Sequence, residues 1–266
     1  MPSGELTHLS LFSGIGGLDL AAEWAGFETV GQCEWADFPT KVLEKHWPDV
    51  PRWRDVRELT VESFRERTGL ETVDCISGGF PCQPHSVAGK RKASSDERDL
   101  WPEMRRVIGE IKPRRVVAEN VRGLLSSEDG RFFRGILRDF ADMGLNVGWC
   151  TYRAADVGAV HARERVAVIA YSRSNGRNGR ERKTREFQSE DSERTARANG
   201  AFKNLLESYT PTRWGFEPEL LRKGIRLRNR MDRLKCIGNS VSPQQFYPIF
   251  KAIADCEESQ GLSDNF

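Results

Sequence analysis

The first half of the chain alternates short apolar runs with amphipathic stretches, and this alternation restricts the fold more than any other feature. Strand-like runs separated by helix-like stretches are typical of βαβ units that form a mostly parallel sheet. We therefore predict an α/β fold with a doubly wound sheet. The predicted strands cover residues 8–12, 27–33, 73–77, 115–118, 147–152 and 166–171, and the predicted helices cover residues 18–25, 37–46, 101–111 and 243–254.

The composition changes after Tyr171 and indicates boundaries within the chain. Residues 173–200 contain no Val, Ile, Leu or Met, and Phe187 is their only aromatic residue. Such a segment buries too little apolar surface to offset the entropy lost on ordering. We predict a first domain at residues 1–171, a short, partly disordered insertion at residues 172–233, and a segment at residues 234–266 that returns to the first domain.

The six cysteines are scattered and form neither a Cys-x-x-Cys pair nor a Cys/His spacing suited to a metal. We expect no metal site, and free thiols in a reducing cytoplasm. The longest apolar run, residues 166–170, is too short to cross a bilayer, and the start of the chain lacks a secretory pattern, so we expect no membrane association. Small buried side chains are the expected state of Cys33, Cys75, Cys150 and Cys256.

The formal net charge of +2, from 41 basic and 39 acidic residues, does not by itself indicate a nucleic-acid partner. Between residues 220 and 235, however, basic side chains greatly outnumber the single acid, Asp232. Such clusters contact phosphates in nucleic-acid-binding proteins, and they also occur as solvated faces. Charge alone leaves both interpretations open.

A glycine-rich turn between the first predicted strand and helix indicates a nucleotide-type ligand. Its three glycines, Gly14, Gly16 and Gly17, permit a tight turn and close backbone approach. An acid about 20 positions onward, Glu34, is placed to bind ribose hydroxyls, and Trp35 to stack on an adenine. Asp19, where a third spaced glycine would stand, disfavours a pyrophosphate, so the turn favours S-adenosylmethionine over NAD. A purely structural turn is the alternative.

A lone cysteine stands in a conspicuous setting at residues 78–86, GGFPCQPHS. The flanking prolines fix φ and stiffen the loop, and the preceding glycines let a ligand approach the backbone. We interpret Cys82 as a thiol held rigidly where a flat ligand approaches.

With the segments FSGIGG and GGFPCQPHS, the chain resembles the DNA cytosine-5 methyltransferases, the modification enzymes of bacteria and phages. The likeness continues in order with residues 119–121 (ENV), residues 161–165 (HARER, where the family has Gln-x-Arg-x-Arg) and residues 236–243 (CIGNSVSP). It covers residues 7–171 and 234–255. The resemblance implies a Rossmann-like methyltransferase that uses S-adenosyl-L-methionine, with a small target-recognition lobe within residues 172–233.

The resemblance also implies a mechanism. The Cys82 thiolate adds to carbon 6 of cytosine, which makes carbon 5 nucleophilic toward the methyl group. A protonated Glu119 supports this step at ring N3, and Arg163 and Arg165 stabilise the developing charge. The cytosine must first leave the DNA duplex to enter such a pocket. His161 departs from the family glutamine, and the base that removes the carbon 5 proton is not evident.

The remaining site residues follow from the same resemblance. Those implied to bind the cofactor are Phe12, Gly14, Gly16, Glu34, Trp35, Asp55, Asn239 and Val241. Those implied to bind DNA are Ser86, Lys90, Arg91, Lys92, Arg228 and Arg230.

Three other functions compete with this interpretation. One is methylation of tRNA, although the Cys-Phe-Thr tripeptide of that branch is absent from the sequence. The others are a DNA-binding protein without catalysis, and a nucleotide-modifying enzyme of the thymidylate synthase type. A cognate restriction endonuclease and a solitary or phage-borne enzyme both stay open, and a monomer is the default expectation.

Overall fold

The computed structural model describes residues 5–81, 99–159, 161–172 and 230–263. Its strands are β1 (Leu6–Leu11), β2 (Phe27–Cys33), β3 (Arg52–Trp53), β4 (Cys75–Gly78), β5 (Arg115–Val121), β6 (Leu145–Arg153) and β7 (Glu164–Ser172). Its helices are α1 (Gly17–Trp24), α2 (Asp37–His46), α3 (Val61–Thr68), α4 (Trp101–Ile111), α5 (Arg131–Asp142), α6 (Arg230–Asn239) and α7 (Pro243–Ser263).

The strands form one sheet in the order β3-β2-β1-β4-β5-β7-β6. The strands β1 to β5 pair in parallel, and β7 runs antiparallel to both of its neighbours. The chain proceeds outward from β1 to β3 and then crosses to β4 on the other side of β1. Ligands of doubly wound sheets bind beyond the carboxyl ends of the strands at such a reversal. The predicted fold class is confirmed, and the reversal between β1 and β4 locates the candidate site.

Helices cover both faces of this sheet because its central strands are apolar on both sides. On one face, α1 and α7 pack on Val117 and Ala167 through a cluster that includes Ala21 and Phe250. On the other face, α3, α4 and α5 pack on the alternate strand residues, contributing Phe64, Met104, Ile108, Ile136 and Phe140. The C-terminal helix is therefore part of the core.

Contacts near both ends of α7 hold it against the sheet and against α1. Near its end, the buried Glu257 carboxylate lies 2.7 Å from Nη2 of Arg114 and 2.6 Å from Nη2 of Arg115. Before its start, the Val241 carbonyl oxygen lies so close to α1 that a Cβ on Gly17 would be 2.3 Å from it. Only glycine fits at Gly17, and this close approach brings the C-terminal segment to the glycine turn.

A buried network joins α1 to the first three strands. The Asp19 carboxylate accepts from Ser10 Oγ and from Gln32 Nε2, each at 2.8 Å, and Gln32 Oε1 accepts from Arg52 Nε at 2.9 Å. Asp19 is fully buried. The sequence analysis took Asp19 as an acid that disfavours a pyrophosphate at the turn, and the structure shows that its carboxylate points into the core instead of toward the turn. Burial raises the pKa of Asp19 to about 6, against the opposing effect of its hydrogen bonds.

The sequence analysis predicted neither α6 nor the two helices that flank the sheet, α3 and α5. The first, α3, begins at a capping box between Thr60 and Ser63. The second, α5, buries Phe133, Ile136 and Phe140 on one face. Among the cysteines predicted to be buried, Cys33 and Cys75 are buried, Cys150 is half-buried, and Cys256 is exposed. The prediction was wrong for Cys256 because this residue lies on the outer face of α7.

Substitution of Asp19 by Asn tests the network through its pH dependence. In the wild type, burial raises the Asp19 pKa to about 6. The stabilisation that this shift gives the folded protein is therefore fully present below the unfolded pKa and is lost as pH rises through 6. Between about pH 4 and about pH 8, the free energy of unfolding of the wild type should fall relative to Asp19→Asn by up to about 3 kcal/mol. Urea denaturation measures this difference, and parallel pH profiles would contradict it.

Substitution of Gly17 by Ala tests the close approach of Val241. The added Cβ would overlap the Val241 carbonyl oxygen at 2.3 Å, so we expect a loss of about 1–3 kcal/mol in the free energy of unfolding. The matched control is Gly135→Ala in α5, where a Cβ meets nothing within 4 Å. The control should gain up to about 1 kcal/mol from helix propensity. Equal stabilities of the two variants would refute the packing constraint.

Candidate active site

The candidate site lies where the carboxyl ends of β1 and β4 adjoin. Leu11 and Gly78 are register partners in these two parallel strands. The segment after Leu11 is the glycine turn, and the segment after Gly78 leads to Cys82. Cys82 itself lies outside the described residues, so the structure places only the approach to it.

The glycine turn is held in a conformation that few residues adopt. Phe12, Gly14 and Gly16 have φ values of +52°, +56° and +85°. A bulky residue such as Phe12 is strained in this region, and such strain is concentrated at ligand sites. A Cβ on Gly16 would lie 2.5 Å from the Trp47 ring, whereas a Cβ on Gly14 would meet nothing within 4 Å. Packing therefore requires Gly16, and the open space of the turn lies at Gly14.

The end of β2 brings Glu34 and Trp35 to this turn. Glu34 Oε2 accepts from the Gly14 backbone N–H at 2.7 Å, and Oε1 accepts from the Ala36 N–H at 2.8 Å. Trp35 is 71% exposed. Gly14, Glu34 and Trp35, which were predicted to bind the cofactor, therefore lie together at this turn. Their contacts with the cofactor stay a prediction.

Asp55, Asn239 and Val241 reach the same edge of the sheet from other parts of the chain. Asp55 follows β3 and caps a short 3₁₀ segment, with Oδ1 accepting from the Arg57 N–H at 3.0 Å. Asn239 is exposed at the end of α6, and Val241 is half-buried against Gly17.

A buried ion pair stands at the end of β5, on the other side of the reversal. Arg165 Nε lies 2.6 Å from Glu119 Oε1, and the two side chains are 10% and 11% exposed. The other carboxylate oxygen, Oε2, would be 2.8 Å from a Cβ on Gly79. Burial raises the pKa of Glu119, and the charges of Arg165 and Arg163 oppose this shift. Glu119 thus retains its proton to a higher pH than a free glutamate, and its carboxyl lies against Gly79, which is three residues before Cys82 in the chain.

Asn120 fixes the backbone of the segment that leads to Cys82. Its Nδ2 donates to the Phe80 carbonyl oxygen at 3.0 Å, and its Oδ1 accepts from the Val121 N–H at 2.9 Å. The sequence analysis gave this residue no role, although its place between Glu119 and Val121 in the ENV motif was a signal. Its contact holds β4 and β5 together just beyond their paired residues.

Arg163 contacts the C-terminal segment rather than Glu119. Nη1 donates to the Ile237 carbonyl at 3.1 Å, and Nη2 donates to the Gly238 carbonyl at 2.6 Å. The two arginines that the sequence analysis treated as one pair therefore have different partners. Arg165 faces the proposed acid, and Arg163 binds the last turn of α6.

Several predicted site residues cannot be placed. Cys82, Ser86, Lys90, Arg91, Lys92 and Arg228 lie outside the described residues, and only the backbone of Arg230 is described, at the start of α6. Within the described ranges, no group of three or more His, Cys, Asp or Glu side chains is arranged to hold a metal ion. None of the helices in those ranges is long and apolar enough to span a bilayer.

Comparison with solved structures places the fold among methyltransferases. A prophage-encoded protein from E. coli, described as a DNA modification methyltransferase, is 26% identical with a TM-score of 0.56, over 63% of this chain and 47% of that one. A mutant of DNMT2 from Spodoptera frugiperda is 21% identical with a TM-score of 0.52, over 68% of this chain and 54% of that one, and shows similarity of fold alone.

Sequence comparisons identify the family. Type II methyltransferase M.NgoMIV of Neisseria gonorrhoeae is 37% identical over 166 residues, which are 62% of this chain and 52% of that protein. M.FnuDI of Fusobacterium nucleatum is 36% identical over 164 residues, covering 61% and 46%. The chain thus spans about half the length of the curated relatives it matches. The profile of C-5 cytosine-specific DNA methylases matches residues 6–234, and the chain belongs to this family.

Proposed function

We propose that the protein transfers a methyl group from S-adenosyl-L-methionine to carbon 5 of a cytosine in double-stranded DNA. The observation that carries the proposal is the buried Glu119 carboxyl, which lies against Gly79 just before Cys82. Membership of the C-5 cytosine-specific DNA methylase family supports it. We take the protein to act as a monomer in the bacterial cytoplasm, where it meets DNA.

The residues around the glycine turn fit S-adenosylmethionine. The open space at Gly14 leaves room for a ligand that a side chain would exclude. We propose that Glu34 and Asp55 bind its hydroxyl and amino groups, and that the exposed ring of Trp35 stacks on its adenine. Phe12, Gly16, Asn239 and Val241 would complete the walls. When bound, this cofactor supplies a methyl group on a sulfonium centre.

The protein's own groups would act on the cytosine ring in sequence. The Cys82 thiolate forms a bond to carbon 6, and the ring electrons move toward N3 and carbon 5. Glu119 donates a proton or a hydrogen bond at N3, while Arg165 and Arg163 stabilise the negative charge. After carbon 5 gains the methyl group, loss of its proton lets the bond between sulfur and carbon 6 break. The thiolate and the aromatic ring are then restored.

DNA binding belongs to the same proposal. The target cytosine must leave the duplex, because carbon 6 is inaccessible within the base stack. We propose that Ser86, Lys90, Arg91 and Lys92 close on the DNA, that Arg228 and Arg230 contact phosphates, and that residues 172–233 read the sequence. Methylation at one short sequence is what a cognate restriction endonuclease would require.

Substitution of Cys82 by Ser tests the nucleophile. We expect it to abolish methyl transfer and to leave cofactor binding intact, because the serine hydroxyl is far less nucleophilic at neutral pH. Bisulfite sequencing of DNA from a host lacking cytosine methylation, after expression of wild type or variant, measures this loss. The matched control is Cys256→Ser, since Cys256 is exposed on α7 and should retain the wild-type map.

The wild-type map also discriminates among substrates. Methylated cytosines within one short repeated context would support the proposal and name the recognition sequence. A blank map from folded wild type, with methylation found on total tRNA instead, would replace DNA by RNA as the substrate. Methylation that persists in Cys82→Ser would reject the covalent mechanism.

Substitution of Glu119 by Gln tests the buried acid. Burial raises the Glu119 pKa, so the wild-type kcat/KM should decline as pH rises through that pKa and the proton is lost. We expect Glu119→Gln to lower kcat by about 10²–10⁴ and to remove this alkaline decline, because an amide does not titrate. Methyl transfer measured across pH, with melting curves as the control for folding, gives the result. The same decline in the variant would exclude Glu119 as the acid.

A further inference from the structure

A buried glutamine in the first turn of α7 joins the end of β6 to the start of β7. Gln245 is 0% exposed, and its Nε2 donates to the backbone carbonyls of Tyr152 and Arg163, each at 3.1 Å. Tyr152 lies at the end of β6, and Arg163 immediately precedes β7. One side-chain amide thus holds both ends of the connection between these strands.

The Arg163 side chain continues this set of contacts toward the glycine turn. Its guanidinium donates to the carbonyls of Ile237 and Gly238, directly before Asn239. Two residues further on, the Val241 carbonyl oxygen lies against Gly17. Contacts therefore run without a break from Gln245, through the backbone and side chain of Arg163, to the start of α1.

Stability alone gives a weak reason for a glutamine at this position. The Oε1 atom of Gln245 is buried and has no hydrogen-bond partner among the residues that the structure describes. The free energy lost by burying an acceptor without a partner offsets much of the stability that the two donated hydrogen bonds contribute. An apolar side chain of similar length would avoid that cost beside Phe246 and Tyr152, which already pack together. It would withdraw one donor from each of the two carbonyls, although the Arg163 carbonyl also accepts from the Ala154 N–H at 2.9 Å.

We propose that Gln245 is a positioning residue of the cofactor site. By fixing the Arg163 backbone, it aims the guanidinium at the last turn of α6 and so sets where Asn239 and Val241 stand beside the glycine turn. This inference rests on the proposed function, because it takes S-adenosylmethionine as the ligand of that turn. It predicts a larger effect on cofactor affinity than on the chemical step, which would change only through the Arg163 guanidinium.

The test compares S-adenosylmethionine binding to wild type and to Gln245→Met by calorimetry. Methionine keeps the length and burial of the side chain but cannot donate a hydrogen bond. We expect Kd and the KM for the cofactor to rise about tenfold, since a tenfold change in Kd needs the loss of only one or two hydrogen bonds, and kcat at saturation to fall by a smaller factor. The matched control is Phe250→Leu, a buried change on the same helix, which should lower stability and leave Kd within about twofold.

A double-mutant cycle tests whether Gln245 acts through Arg163. If it does, Gln245→Met combined with Arg163→Met should raise Kd no further than Arg163→Met alone. Effects that multiply would overturn this route, and wild-type affinity in Gln245→Met would overturn the proposal. Failure of the wild type itself to bind S-adenosylmethionine would reject the proposed function as well, so the two failures are distinct.

A second variant keeps the proposal testable if Gln245→Met does not fold. In Gln245→Glu, a protonated carboxyl can donate to one backbone carbonyl, whereas an ionised carboxylate cannot donate to either. Cofactor affinity should approach that of the wild type at low pH and weaken as pH rises. A Kd ratio to wild type that does not change with pH would contradict the proposal.

Discussion

The contact between the Glu119 carboxyl and the backbone at Gly79 is the constraint on which the candidate site depends. It places an ionisable group against the segment that leads to Cys82, and only a glycine leaves room for it. Burial and the Arg165 charge act on this carboxyl in opposite directions. An isolated buried carboxylate is costly, so the arginine permits burial while burial still retains the proton. In the proposed mechanism, the candidate site therefore obtains its acid from two opposing effects.

The C-terminal helix shows how a distant segment completes a site near the start of the chain. Its apolar side chains pack on the face of the sheet that α1 also covers. Glu257 secures one end beside Arg114 and Arg115, and Gln245 secures the other end beside β6 and β7. Because these contacts lie near opposite ends of the helix, at the start of β5 and at the end of β6, the helix cannot slide along the sheet. The segment before it can then press against Gly17.

Periodicity was sufficient to predict elements with one continuous apolar face, and β2, α2 and α4 have the predicted bounds. It missed α3, where Phe64 alone is buried among charged residues. It also missed α5, although Phe133, Ile136 and Phe140 form a buried apolar face on that helix. The order of the motifs indicated those described residues that meet beyond the carboxyl ends of the strands, but it could not separate Arg165 from Arg163. Their partners depend on where α6 returns, and no local pattern encodes that.

Three buried polar side chains share a pattern that connects stability with the site. Each of them lowers the free energy of unfolding at neutral pH. For Asp19 and Glu119 the cause is a pKa raised by burial, and for Gln245 it is a buried Oε1 atom without a partner among the described residues. Each also contacts backbone or side chains next to a different wall of the candidate site. Natural sequences depart from optimal packing chiefly where function requires it. Asp19 lies behind the glycine turn, Glu119 lies beside the segment that leads to Cys82, and Gln245 reaches the turn through Arg163 and the segment before α7, so each of these costs can be related to the candidate site.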